Sequence, residues 1–174
     1  PHIQDEPLPA NKKDYQKLLK KQDGYKLAEV KGKASSAFAS NWENKTIELG
    51  KNTFGWKSLK LNFGKKEVTM TVTETNGKSY ELPFGYQQWI TTTFDSYPPY
   101  SITPIDRFKG LEGPYYASGS YAWISKEELQ LKAHYVNWVS ALEITFHLEE
   151  NGEVKLHVQT NYIKKPYTII GKIK

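Results

Sequence analysis

Four histidines, His2, His134, His147 and His157, are the first candidates for acid–base or metal chemistry in this chain. There is no cysteine, which removes disulfide frameworks, thiolate zinc sites and cysteine nucleophiles together. Alternation through 144–158 places His147 and His157 on the outer face of one hairpin. Zinc takes three or four ligands. That register brings up no third histidine and no carboxylate, so the pair reads as an exposed polar face and no metal or other cofactor is expected. Glu127-Glu128 and Glu149-Glu150 flank turns. Glycosidic acid–base work needs carboxyls opposed across a cleft, one of them with a raised pKa, so these read as solvated turn residues. No serine is followed three residues later by lysine, and no Gly-x-Ser-x-Gly elbow occurs. Tyr135-Val136-Asn137 matches a Tyr-x-Asn pattern but falls in a strand with no nucleophile to serve. On its own residues the chain is not expected to be an enzyme.

The aromatic residues are the remaining lead. Trp89, Trp123 and Trp138, with Tyr97, Tyr100 and Phe108 of the 95–114 segment, are candidates to line a concave apolar site. Exposed rings of this kind also stack on sugars or mark protein interfaces. The same residues serve equally as core and barrel-end packing.

Charge narrows the partners. The net charge is +5 and the pI about 9.1, yet of 24 basic residues only Arg107 is an arginine. Arginine is the usual reader of phosphate and base edges, and the lysines are spread along the whole chain. No nucleic acid partner is expected. No run of eighteen apolar residues exists, so no helical membrane span is expected either. The chain starts at Pro1 without a visible signal peptide and reads as a trimmed or a mature fragment.

The elements that must position these side chains follow from period. Segment 1–9 carries three prolines and reads as an extended tail. Asn11 is a helix N-cap, Asp14 sits in the first turn and Gly24 is the stop. Tyr15, Leu18 and Leu19 fall on one face and want a partner surface, because three turns are marginal alone. From about 37 onward the period becomes 2. Leu59, Leu61 and Phe63, then Val68, Met70 and Val72, then Tyr80, Leu82 and Phe84 alternate with polar residues. Further strands fall at 89–94, 115–124, 129–135, 144–148, 154–158 and 167–173.

Face matching fixes two turns. Thr75-Asn76-Gly77 as a three-residue loop sets Val72 opposite Tyr80 and Met70 opposite Leu82, with Gly77 at the left-handed position. A two-residue Asn-Gly turn would put Val72 opposite Glu81, and a one-residue slip turns every side chain to the wrong face. At Glu150-Asn151-Gly152 the same loop pairs Leu148 with Val154, Phe146 with Leu156 and Ile144 with Val158. About nine strands joined mostly by short turns favour closure into a barrel. The inward set, including Phe63, Tyr80, Phe84, Tyr135 and Phe146, leans toward a filled interior. The 95–114 segment is too long and apolar for a simple turn, and is expected to pack on the barrel mouth or on a partner.

Read in order, a series of motifs resembles one family. It runs from Pro7-Leu8-Pro9-Ala10-Asn11-Lys12-Lys13-Asp14-Tyr15-Gln16-Lys17-Leu18 through Gly32-Lys33-Ala34-Ser35-Ser36 and Lys45-Thr46-Ile47-Glu48-Leu49. Phe54-Gly55-Trp56-Lys57-Ser58-Leu59, Leu61-Asn62-Phe63 and Val68-Thr69-Met70-Thr71-Val72 follow. Ala117-Ser118-Gly119-Ser120-Tyr121-Ala122-Trp123 and Ile170-Gly171-Lys172 end it. This is similar to the C-terminal lipocalin-like domain of secreted bacterial serine hydrolases of the β-lactamase and penicillin-binding protein superfamily. The resemblance covers most of the chain and carries over none of that family's catalytic residues. It implies an all-β, antiparallel up-and-down barrel, lipocalin-like, of about eight or nine strands, preceded by a short N-terminal α-helix. Residues 1–36 would form a linker and helical arm, and 37–174 the barrel. It also implies a secreted or periplasmic accessory domain. That domain would pack on the catalytic domain of the same polypeptide through Tyr15, Leu18 and Leu19. The alternatives left by the residues are a carrier of a small apolar ligand and a glycan-binding module.

Overall fold

The computed structural model describes residues 10–96, 98, 113–149, 152–161 and 164–174. One α-helix, α1 (Lys12–Asp23), precedes ten strands. These are β1 (Thr46–Leu49), β2 (Trp56–Phe63), β3 (Glu67–Glu74), β4 (Ser79–Tyr86), β5 (Ile90–Phe94), β6 (Tyr115–Trp123), β7 (Glu128–Tyr135), β8 (Ala141–Leu148), β9 (Glu153–Thr160) and β10 (Tyr167–Ile173). They form one sheet in the order β4-β3-β2-β1-β10-β9-β8-β7-β6-β5, with β4 also paired to β6. The expected lipocalin-like barrel is therefore present, with one strand more than the sequence reading placed, since β1 is only four residues long.

Both predicted hairpin registers hold. Val72 faces Tyr80 and Met70 faces Leu82, while Ile144 faces Val158 and Phe146 faces Leu156. Gly77 and Gly152 take φ of +86° and +77°, the left-handed conformation a three-residue loop demands. The pleat then sends alternate side chains inward, and Leu59, Leu61, Val68, Met70, Val72, Leu131, Ile144 and Leu156 are all buried.

Closure departs from the expected all-antiparallel pattern. Gly85 and Tyr86 of β4 pair with Ser120 and Tyr121 of β6 in parallel. β5 pairs with the other half of β6, from Ile90–Gly119 to Phe94–Tyr115. β5 begins at Ile90, opposite Gly119, so the level of Ser120 lies beyond it and nine strands remain in the ring. Alternating directions around an odd number of strands forces one parallel pair, and it falls between β4 and β6. Gly119 makes the approach of β4 possible, because a Cβ there would lie 2.3 Å from the Pro83 carbonyl oxygen.

One end is plugged. A 3-10 helix, Ala37–Asn41, is capped by Ser36, whose Oγ accepts from Phe38 N and donates to Lys126 O. It delivers Trp42 into the barrel, where the indole lies 5.4 Å from Trp123 and 5.9 Å from Phe146, centroid to centroid. The preceding residues are strapped to β6. Lys33 and Trp123 exchange two backbone bonds of 2.9 Å, and Tyr121 OH donates to Ala34 O. α1 is capped by Asn11 as expected, with Asp14 N donating to its Oδ1. No residue of α1 is buried, and Tyr15 and Leu18 are each 59% exposed, Leu19 being half-buried. Among the described residues no strand buries the stripe that was expected to need a partner.

Candidate ligand-binding end of the barrel

The end opposite the plug collects the starts of β2, β4, β6 and β8 and the ends of β5, β7 and β9. Inward positions there change from aliphatic to aromatic. Tyr80 on β4 lies 5.5 Å from Phe94 on β5. Phe94 lies 6.0 Å from Tyr115 and 5.6 Å from Tyr135. Tyr115 meets Trp138 edge-on at 5.6 Å. A register irregularity between Trp56 and Ser58 turns the Trp56 side chain inward, and it hydrogen-bonds to Tyr80. Offset and edge contacts of this kind are the favoured aromatic geometries.

Four polar atoms at this end are buried without a hydrogen-bond partner among the described residues. They are Tyr135 OH, Trp138 Nε1, Ser140 Oγ and Thr160 Oγ1. Their chain positions adjoin. Tyr135 N donates to Ser140 O, Trp138 N donates to Tyr135 O, and Leu142, two residues after Ser140, faces Thr160. Tyr135 and Thr160 are each 2% exposed. An unpaired buried polar group costs about 1–3 kcal/mol, and native interiors hold few of them. Burial raises the Tyr135 hydroxyl well above its ordinary value, with nearby Tyr80 adding to the effect. Burial raises Tyr80 as well, against the Trp56 hydrogen bond. Both phenols stay neutral and offer a donor and an acceptor each.

The three described aromatic candidates, Trp89, Trp123 and Trp138, lie in different parts of the barrel. Trp123 is buried at the plugged end between Trp42 and Phe63. Trp89 lies on the outer face, edge-on to His134 at 5.2 Å, its Nε1 donating to Leu27 O. Of the three described candidates only Trp138 belongs to the aromatic end. Tyr97, Tyr100 and Phe108 lie outside the described residues. Three of the five tryptophans, Trp42, Trp56 and Trp123, are buried, which counts against a stacking platform for sugars built from them. The sequence reading placed Tyr135 only as core and passed over Trp56, Ser140 and Thr160. Thr160 carried a signal: it continues the inward series Val154, Leu156, Val158, where a hydroxyl breaks an apolar stripe.

His147 and His157 do share an outer face, at diagonal register positions. Contrary to expectation, two carboxylates approach His147, Glu128 at 3.8 Å and Glu149 at 3.9 Å. Among the described residues no group of three or more such side chains is arranged to hold a metal ion, and no helix is long and apolar enough to cross a membrane.

No family model matches the chain, and none of the curated proteins does. Solved structures do resemble it. One is the Schistosoma mansoni fatty acid binding protein in complex with arachidonic acid, at 11% identity and a TM-score of 0.41, covering 67% of this chain and 68% of that one. Another is the fluorescent protein UnaG, wild type, at 10% identity and a TM-score of 0.45, covering 78% of this chain and 98% of that one.

Proposed function

We propose that the chain is a binding barrel. It takes a small, largely apolar or aromatic molecule, bearing at least one hydrogen-bond acceptor, at the end opposite the Trp42 plug. The supporting observation is the group of four polar atoms, on Tyr135, Trp138, Ser140 and Thr160, that are buried without a partner among the described residues, within an aromatic surround. An indole N–H can only donate, so Trp138 asks for an acceptor oxygen or nitrogen. The phenol and the two hydroxyls adapt to either role. Rings from Tyr80, Phe94, Tyr115 and Tyr135 supply apolar contact, which is how small-molecule sites divide their work: many apolar walls and a few placed polar groups.

The test uses a neutral naphthalene dye carrying a ketone, whose emission shifts to the blue in an apolar site. Saturable one-to-one binding is expected, weakened about tenfold or more by Tyr135→Phe with Thr160→Val, since a bond to a buried neutral group is worth about 1 kcal/mol or more. Absence of saturable binding, or equal binding by the variant, rejects the reading.

A second reading follows from the resemblance to accessory domains of β-lactamase-like hydrolases. One observation favours it: the apolar stripe of α1 is bare of barrel contacts that would bury it. In that reading Tyr15, Leu18 and Leu19 dock on a catalytic domain of the same polypeptide. Leu18→Ser in a longer polypeptide containing that domain should then speed proteolysis between the two. Unchanged cleavage rejects docking through α1.

A further inference from the structure

The β7–β8 turn holds two valines in water. Val136 and Val139 are 64% and 60% exposed, and the turn that carries them is clamped from both sides. Asn137 Oδ1 accepts from Tyr116 N and its Nδ2 donates to Pro114 O, at 2.9 and 3.1 Å. Asn161 Oδ1 accepts from Ala141 N and its Nδ2 donates to Val139 O, at 3.0 and 2.9 Å. The valines are thus presented on a fixed tip and cannot fold back to cover themselves.

Asn161 also brings the β9–β10 loop alongside, with exposed Lys164 and Lys165. Around the same rim, the β1–β2 and β3–β4 loops add exposed Lys51 and Lys78. Against these four cations the described residues of this rim supply two carboxylates, Asp95 and, at the end of β3, Glu74, whose oxygens accept from Asn76 and Ser96. At the plugged end the charges interleave, with Lys65, Lys66 and Lys126 among Glu67, Glu127 and Glu149. The molecule is therefore polarised: one rim is cationic with apolar points, the other is mixed.

We propose that this rim docks on an anionic lipid surface. Lysines near such a surface are drawn by its negative potential, and a fixed apolar tip adds burial in the headgroup region that no soluble counterion supplies. The inference goes beyond the binding-barrel reading and stands or falls separately from it, because its test uses no ligand. It would set the aromatic end of the barrel facing the bilayer.

The full chain is sedimented with vesicles of phosphatidylcholine alone and of phosphatidylcholine with about 30 mol% phosphatidylglycerol. Binding is expected to the anionic vesicles only, and to weaken as salt rises from about 0.05 to about 0.5 M. Lys164→Glu with Lys165→Glu should weaken it roughly tenfold or more, and Val136→Ser with Val139→Ser should weaken it several-fold. Circular dichroism and urea unfolding establish that both pairs fold. Leu18→Ser, on α1, should leave binding unchanged. Failure to bind anionic vesicles, equal binding to neutral ones, or binding that survives both rim pairs or follows Leu18 overturns the proposal. A purely protein partner for the valines would give the first of these results.

Discussion

The carbonyl oxygen of Pro83 lies 2.3 Å from where a Cβ on Gly119 would stand, with the Phe84 ring only 2.8 Å from the same point. The seam that closes the barrel therefore depends on a missing methyl group. Pro83 suits that position because it has no backbone N–H to offer a neighbouring strand. Gly119→Ala has to push β4 away from β6 and disturb the pairs at Gly85–Ser120 and Tyr86–Tyr121. A loss of about 2–3 kcal/mol in urea unfolding is expected. A change within about 0.5 kcal/mol, the range of ordinary surface substitutions, would mean that the seam has slack.

Tyr80 and Tyr135 set the behaviour in alkali. Both are held above the ordinary phenol value of 10.0, chiefly by burial; Glu74 adds to this at Tyr80, and Tyr80 itself adds to it at Tyr135. The unfolded chain loses these protons near pH 10, whereas the folded chain keeps them. Above that point the folded state binds more protons, so stability falls as pH rises. Below it the two states are protonated alike and the pair gives no slope. Tyr121 is displaced in the same direction, also by burial first. Urea midpoints measured between about pH 9 and about pH 11 should decline for the parent and flatten for Tyr80→Phe with Tyr135→Phe. An equally steep decline in the variant would place the cause elsewhere.

Much of this fold is legible in the residues because a hairpin's register has so few solutions. Val72 against Tyr80, and Ile144 against Val158, follow once the apolar residues are required to share a face. The capped helix is legible for the same local reason. Closure is not, because the parallel β4–β6 pair depends on where β5 begins, and nothing within β5 announces that. The aromatic end is illegible for a related reason: Trp56 reaches Tyr80, and Tyr80 lies near Tyr135, only after the ring has closed. Trp89, Trp123 and Trp138 look equivalent as letters. Strand parity and position along the barrel axis send them to the outer face, the plug and the mouth.

The two three-residue loops give a backbone test free of packing. Chain neighbours aside, no atom of the described residues lies within 4 Å of a Cβ built on Gly77 or on Gly152, and both have positive φ. Gly77→Ala and Gly152→Ala should each cost about 1–2 kcal/mol, the price of an L-residue in the left-handed region. Gly77→Asn should recover part of that, because asparagine visits this conformation more readily. If alanine proves neutral at Gly77, the loop must be able to adopt a second turn type, and the Val72–Tyr80 register would no longer be uniquely determined.

The two ends of the N-terminal segment differ in what they contribute to the barrel. Trp42 is wholly buried against Trp123 and Phe146, so Trp42→Ala should cost about 3–5 kcal/mol. No residue of α1 is buried, and its internal contacts, such as Lys17 Nζ to Asp14 Oδ1 at 2.9 Å, are exposed and local. Tyr15→Ser with Leu18→Ser should therefore leave the urea midpoint unchanged to within about 0.5 kcal/mol. A cooperative loss of barrel stability in that variant would show that the stripe folds back onto a strand face. It would then be unavailable to any second domain, and the docking reading of α1 would fail with it.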